Sequence, residues 1–240
     1  MAIDGNGSLI ASVLVAGQLT VTGRLVDASN ATLYAKTTVD EIELACIYKP
    51  IAGEKPLWDF ADGTLADREY AAYLVSNRTG LDVVPITILR DGPFGPGMVQ
   101  QWIDIDDSVD LVSVFKNDLP QLRKMALFDA IINNTDRKIG HLLPTTDGDI
   151  FGCDHGVTFH ADDKLRTVLW QWADIAFDSK ELHLLNTFAQ DLSNDLGELL
   201  QKHLTAAEIA ALTARTQKLI ANGRFPLPSK DWPAVPWPAY

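Results

Sequence analysis

The hydrophobic pattern changes period part-way along the chain, and that change restricts the fold more than any other feature. Up to about residue 103 the apolar residues recur as in strands, over residues 18–26, 32–36 and 42–48. The first two runs are expected to pair as a hairpin closed at Ser29-Asn30. Residues 64–77 read as one helix, with Thr64 as N-cap, Asp67 in the first turn and Gly80 as the stop. Residues 83–89 read as a strand interrupted by Pro85, then a Gly/Pro-rich turn over 91–97 and a short apolar strand over 98–103. From Asp104 the period is helical. Leu119, Leu122, Met125, Ala126, Asp129 and Ile132 mark one helix, and 181–204 a leucine-rich second. Thr205-Ala206-Ala207-Glu208 is a capping box opening a third, which ends near Asn222-Gly223. One β-like island, residues 140–159, interrupts them. The expectation is an α+β chain: a β-rich lobe over 1–103, a helical lobe over 104–225, and a hinge at 100–104. The tail, 226–240, has five prolines with Trp232 and Trp237, and is expected to pack back through its aromatics.

Charge and cysteines limit the partners. The formal net charge is −12, which disfavours phosphate backbones and anionic lipid surfaces, so neither nucleic acid nor a stable membrane association is expected. Cys46 and Cys153 each lie in an apolar run and read as reduced, buried thiols. The apolar stretch over 9–15 is too short to span a bilayer and lacks signal-peptide flanks. A cytoplasmic protein is expected.

The chemistry concentrates around the island. Asn134-Thr135-Asp136-Arg137 is followed, across a short hairpin, by Asp154-His155-Gly156. Two acidic groups in separate tight loops suit phosphoryl transfer: one orients or deprotonates a hydroxyl, the other holds a divalent ion on the phosphates. Taken alone, either aspartate reads more readily as a loop cap. Lys49 ends the apolar run Cys46-Ile47-Tyr48 and can point one long cation at phosphates, and Glu69 on the predicted helix can hold it there. Each alone also reads as a solvated surface charge. The turn at Ser29, Asn30 and Thr32 can cover phosphates with backbone amides and hydroxyls, although it is not glycine-rich. Neither a G-x-x-x-x-G-K-[ST] nor a G-x-G-x-x-G motif is present, so a P-loop and a dinucleotide fold are unsupported.

These residues resemble the catalytic and metal-binding loops of type II phosphatidylinositol 4-kinases, N-T-D-R followed by D-N-G-L-A-F; here the second reads Asp154-His155-Gly156-Val157-Thr158-Phe159. Tyr48-Lys49-Pro50 is similar to that family's F-K-P, and Gly80-Leu81-Asp82-Val83-Val84-Pro85-Ile86-Thr87 to its G-L-x-V-V-P-x-T. The stretch 154–172 resembles an actinobacterial branch of the phosphatidylinositol 3-/4-kinase-like superfamily, and the likeness covers about residues 18–180. The resemblance implies a two-lobed protein-kinase-like fold with a β-rich N-lobe and a helical C-lobe. It implies ATP with Mg²⁺ or Mn²⁺, Lys49 on the ATP phosphates, Glu69 supporting Lys49, and Ile103 offering backbone hydrogen bonds to adenine. Asp136 would be the catalytic aspartate and Asp154 a metal ligand. His141 stands where the family has a metal-holding asparagine, a softer ligand that suits Mg²⁺ less well. The family's cysteine-rich palmitoylation segment is absent.

The expected function is therefore an ATP-dependent kinase acting on a hydroxyl of a protein, including itself, or of an inositol-like small molecule or lipid headgroup. A pseudokinase that binds nucleotide or serves as a scaffold is the alternative. A phosphohydrolase or nucleotidyl transferase is a third. Lys138, beside Asp136, is a candidate contact for an acidic acceptor.

Overall fold

The computed structural model describes residues 5–25, 30–61 and 63–240. Its first half is built on one antiparallel sheet of order β1-β2-β3-β5-β4. The strands are β1 (Gln18–Arg24), β2 (Leu33–Val39), β3 (Ile42–Pro50), β4 (Thr87–Gly92) and β5 (Gly95–Gln101). β1 and β2 pair as the sequence predicts, Leu19 opposite Thr37; the tip of that hairpin, with Ser29, lies outside the described residues. Beside β3, Gly97 permits an approach no side chain would tolerate: a Cβ there would sit 2.4 Å from the Lys49 carbonyl oxygen.

Helix α1 (Gly5–Ala16) precedes the sheet and was not legible as a helix. It buries Leu14 with Ala35, Cys46, Tyr48 and Val99 of the sheet. Leu9 and Val15 stay exposed, so the apolar run shows no one-sided stripe. Arg90 of β4 donates to the carbonyls of Leu14 (2.7 Å) and Gly17 (2.8 Å), satisfying acceptors that a helix end leaves free.

Helix α2 (Leu65–Thr79) ends as expected at Gly80, which takes the left-handed φ of 67°. Its start differs from the expectation. Thr64 makes no side-chain cap; the Glu54 carboxylate accepts from the Leu65 (3.2 Å) and Ala66 (2.9 Å) amides instead. The following segment differs too. The amides of Val83 and Val84 donate to the Ser76 hydroxyl at 2.9 and 3.1 Å, so the chain hugs α2 and strand β4 begins only at Thr87.

The second half is helical: α3 (Leu111–Val114), α4 (Pro120–Ile132), α5 (Ser179–Leu192), α6 (Asp195–Leu200) and α7 (Ala206–Asn222). Between α4 and α5 lies the predicted island, a two-stranded ladder of β6 (Leu142–Pro144) and β7 (Ile150–Gly152). The capping box at Thr205 and Glu208 forms as read, and Gly223 ends α7 at φ 64°. The single helix expected over 181–204 is instead two. Ser193 and Asn194 turn their side chains back onto the Ala189 (3.2 Å) and Gln190 (2.8 Å) carbonyls, competition that such residues offer to helix continuation. A Cβ on Gly197 would lie 2.1 Å from the Leu192 carbonyl oxygen, so the break is tightly packed.

The large core runs from α2 through α4 and α5 to α7, with Phe128, Ile131, Leu185 and Leu212 fully or almost fully buried. It fixes the island's loops on a rigid base. No helix among the described residues is long and apolar enough to cross a membrane.

Candidate active site

Lys49 is the last side chain but one of β3, aimed away from the sheet core. Its ammonium pairs with Glu69 Oε1 of α2 at 2.7 Å and with Asp154 Oδ1. Burial opposes the charge, but Asp154 and Glu69 outweigh it and push the lysine pKa up. Asp154 is held well below the usual carboxylate range, chiefly by Lys49. Glu69 uses its other oxygen to accept the His155 amide at 2.9 Å, tying α2 to the second acidic loop. The turn that presents Asp154 is tight: its φ is 61°, a left-handed conformation that aspartate tolerates better than most residues.

Asp136 leaves the end of α4 through Asn133, which takes φ 53°. Asn134 Oδ1 accepts the Asp136 amide at 3.0 Å, and the Thr135 hydroxyl donates to the Val157 carbonyl at 2.8 Å. The Asp136 carboxylate faces Lys138 Nζ at 3.3 Å and Arg166 Nη2 at 3.5 Å. Burial raises its pKa against the pull of those two cations, which favours a proton acceptor.

Sequence reasoning missed the group that joins the two loops. Arg137 is fully buried against Asp129, likewise fully buried, with Nη2 to Oδ1 at 3.0 Å. Its Nη1 donates to the Cys153 carbonyl at 3.1 Å and its Nη2 meets His155 Nε2 at 2.7 Å. The guanidinium can only donate, so His155 accepts at Nε2 and carries its proton on Nδ1, 3.9 Å from Glu69 Oε2. Burial lowers the His155 pKa well below normal, consistent with that neutral ring. Contacts thus run from Asp129 through Arg137, His155 and Glu69 to Lys49. Arg166 was also missed: its Nε donates to the Thr135 carbonyl at 2.7 Å, so it braces the loop that carries Asp136. An arginine adjoining an acid was the available signal for Arg137; nothing local marked Arg166.

A cavity of about 470 Å³ lies over these groups, with Lys49, Glu69, Asp136 and Asp154 in its wall. Asn30 also lines it and accepts the Lys55 amide at 2.9 Å. Thr32 is buried beneath and does not line the cavity; Ser29 is outside the described residues. Ile103 lies just beyond β5 and outside the cavity wall, and its backbone groups make no hydrogen bond among the described residues.

His141 Nε2 is 3.6 Å from Asp154 Oδ2. Burial pulls the His141 pKa down to about 4, so the ring is neutral with a lone pair to offer, and its Nδ1 is buried without a hydrogen-bond partner among the described residues. No group of three or more His, Cys, Asp or Glu side chains able to hold a metal occurs among the described residues. Asp154 and His141 are thus the two neighbouring side chains that could ligate a divalent ion here, and phosphate oxygens and water would have to complete its shell.

No family model matches the chain. The Mycobacterium tuberculosis (strain ATCC 25618 / H37Rv) protein Rv2133c is 43% identical to it over 264 residues, covering 95% of each. The chain belongs to the Rv2133c family. Two solved structures show the fold of this Rv2133c relative. The Golgi casein kinase with Mn/ADP bound superposes at a TM-score of 0.62 with 14% identity, over 91% of this chain and 76% of that one. Another structure of the Golgi casein kinase gives 0.54 with 12% identity, over 92% and 75%. The architecture is thus a kinase-like two-lobed fold, with an antiparallel-sheet N-lobe and a helical C-lobe.

Proposed function

We propose that the protein is an ATP- and divalent-metal-dependent kinase that transfers the γ-phosphoryl group to a hydroxyl. The observation that carries this is the convergence of Lys49, paired to Glu69 from the helix behind the sheet, with Asp154 and Asp136 around one cavity. That set supplies what phosphoryl transfer asks of a protein: a cation on the phosphates, a ligand for the metal and an acceptor for the hydroxyl proton. The metal, when bound at Asp154 and His141, supplies neutralisation of phosphate charge. Lys49 fixes the phosphates, Glu69 fixes Lys49, and Asp136 orients the attacking hydroxyl and takes its proton. Lys138 and Arg166 keep Asp136 in place. The solved neighbour holding manganese and ADP supports the choice of nucleotide and ion.

Within this reading the loops are those of the phosphatidylinositol 3-/4-kinase-like superfamily, and the acceptor is not a lipid: a net charge of −12 repels an anionic bilayer. Product analysis with γ-labelled ATP tests the proposal. Label should reach an organic acceptor, and Asp136→Ala should lower turnover by about 10²–10⁴-fold while ATP binding persists. Free phosphate with no labelled acceptor points to hydrolysis, and a nucleotidylated product to nucleotidyl transfer.

A second reading, a nucleotide-binding scaffold without chemistry, is supported by the direct ion pair of Lys49 with Asp154. In that pair one Asp154 oxygen is already engaged by Lys49, which leaves less of the carboxylate for a metal. Equal turnover in wild type and Asp136→Ala would favour it.

A further inference from the structure

The cavity has a wall that phosphoryl transfer itself does not call for. Trp58 and Trp237 both line it, yet their residues are 85% and 92% exposed. Large indoles this open are uncommon on a soluble surface unless something covers them. Trp58 comes from the loop before α2, and Trp237 from the tail, so two distant segments bring indoles to one space; the Lys164 ammonium lies over the Trp58 ring, 4.7 Å from its centroid, and the indole is otherwise exposed. Asp136, Lys138 and Arg166 line the same space, and Lys55 adds an exposed ammonium with no ion-pair partner among the described residues. Indole faces set among charged and hydrogen-bonding side chains make a wall that is half polar and half apolar, suited to a ligand with both kinds of surface.

The tail also disfavours a peptide acceptor that would add as a strand beside Asp136. The Ala239 carbonyl accepts the Ile139 amide at 2.9 Å, and the Ala234 carbonyl accepts the Thr167 amide at 3.0 Å. The Trp170 indole adds a donor to Ala234 at 2.8 Å. Ile139 follows the Asp136 loop and Thr167 follows Arg166, so the tail already occupies the backbone donors that an extended peptide beside Asp136 would use.

Resting on the kinase reading above, we propose that the acceptor is a small cyclic polyol, a sugar or cyclitol, held beside Asp136 in a subsite walled by Trp58 and the tail residue Trp237. The C–H face of such a ring is apolar and covers an indole, while its hydroxyl rim accepts from Lys55, Lys138 and Arg166. In the transfer, one ring hydroxyl gives its proton to Asp136. Its oxygen bonds to the γ-phosphorus, the bond from that phosphorus to the β–γ bridging oxygen breaks, and ADP leaves with those electrons.

The test gives the full chain γ-labelled ATP and Mg²⁺ or Mn²⁺, with glucose, myo-inositol and the low-mass fraction of a cell extract in one arm and dephosphorylated casein in the other. The expected result is label in a phosphorylated polyol. Trp237→Ala should then raise the acceptor KM about tenfold with the KM for ATP unchanged. Trp58→Ala should act in the same direction, which keeps the test sound if one variant misfolds. Label on casein or on the chain itself overturns the proposal, as does label in a polyol that both variants leave unaffected. ATP binding without label in either arm overturns it too. Failure to bind ATP would instead overturn the kinase reading, and this one with it.

Discussion

Arg137 carries more of the site's geometry than either aspartate beside it. A guanidinium has five donors, and this one finds acceptors on Asp129, Cys153, His141 and His155 without reaching solvent. Arg137→Lys keeps a charge but loses the planar fork, leaving the Asp129 carboxylate and the Cys153 carbonyl underpaired. Breaking a buried pair of this kind costs roughly 3–5 kcal/mol, so the variant should unfold at markedly lower denaturant. A change below about 0.5 kcal/mol would show that the two loops do not depend on it. That Lys49, Asp136 and Asp154 would come together was legible because each combines a chemistry-bearing type with a distinctive local pattern. The pairing of Lys49 with Glu69 was foreseen, and the structure gives it 2.7 Å. Arg166 was not legible, because its partners, Asp136 and the Thr135 carbonyl, lie far away in sequence and only the fold brings them near.

At the scale of elements, α2 shows both the reach and the limit of reading local signals. Its end at Gly80 and its position were legible; its cap was not, because Glu54 reaches it from an irregular loop. Glu54→Ala should therefore destabilise the protein by about 1–2 kcal/mol, and Thr64→Ala by only a few tenths. Thermal unfolding of the two variants checks this, and the reverse order would restore Thr64 as the cap. Helix α1 escaped because its apolar residues surround it, and the α5–α6 break because leucine periodicity continues across Ser193 and Asn194. In both cases tertiary packing overrode the local pattern. The capping box of α7 was legible because both partners lie within one turn.

Across the whole molecule, Arg68 joins the two halves. It pairs with Glu208, the capping-box residue of α7, donates to the Thr158 carbonyl at 2.7 Å and lies over the Phe60 ring. Both charged partners are almost fully buried. One contact set thus anchors α2, and with it Glu69, to the helical half. In a double-mutant cycle, Arg68→Ala and Glu208→Ala should couple by about 1–3 kcal/mol; additive effects would mean that this pair contributes little to joining the halves. The two-lobed plan was legible because strand periods dominate the first part of the chain and helical periods the second. The tail's role was only half legible. Its packing through Ala234 and Ala239 is backbone chemistry that composition does not announce, and Trp237 stays exposed at the cavity where an inward-packed aromatic was expected.

If Lys49 and Asp154 together form a metal-dependent ATP site, as proposed, nucleotide binding requires the ion. Calorimetric titration of ATP with Mg²⁺, and then with Mn²⁺, into wild type and Asp154→Ala tests it most directly. The expected result is binding that requires the ion and is abolished by the substitution. Binding that is indifferent to both, or no binding with either ion, would contradict it.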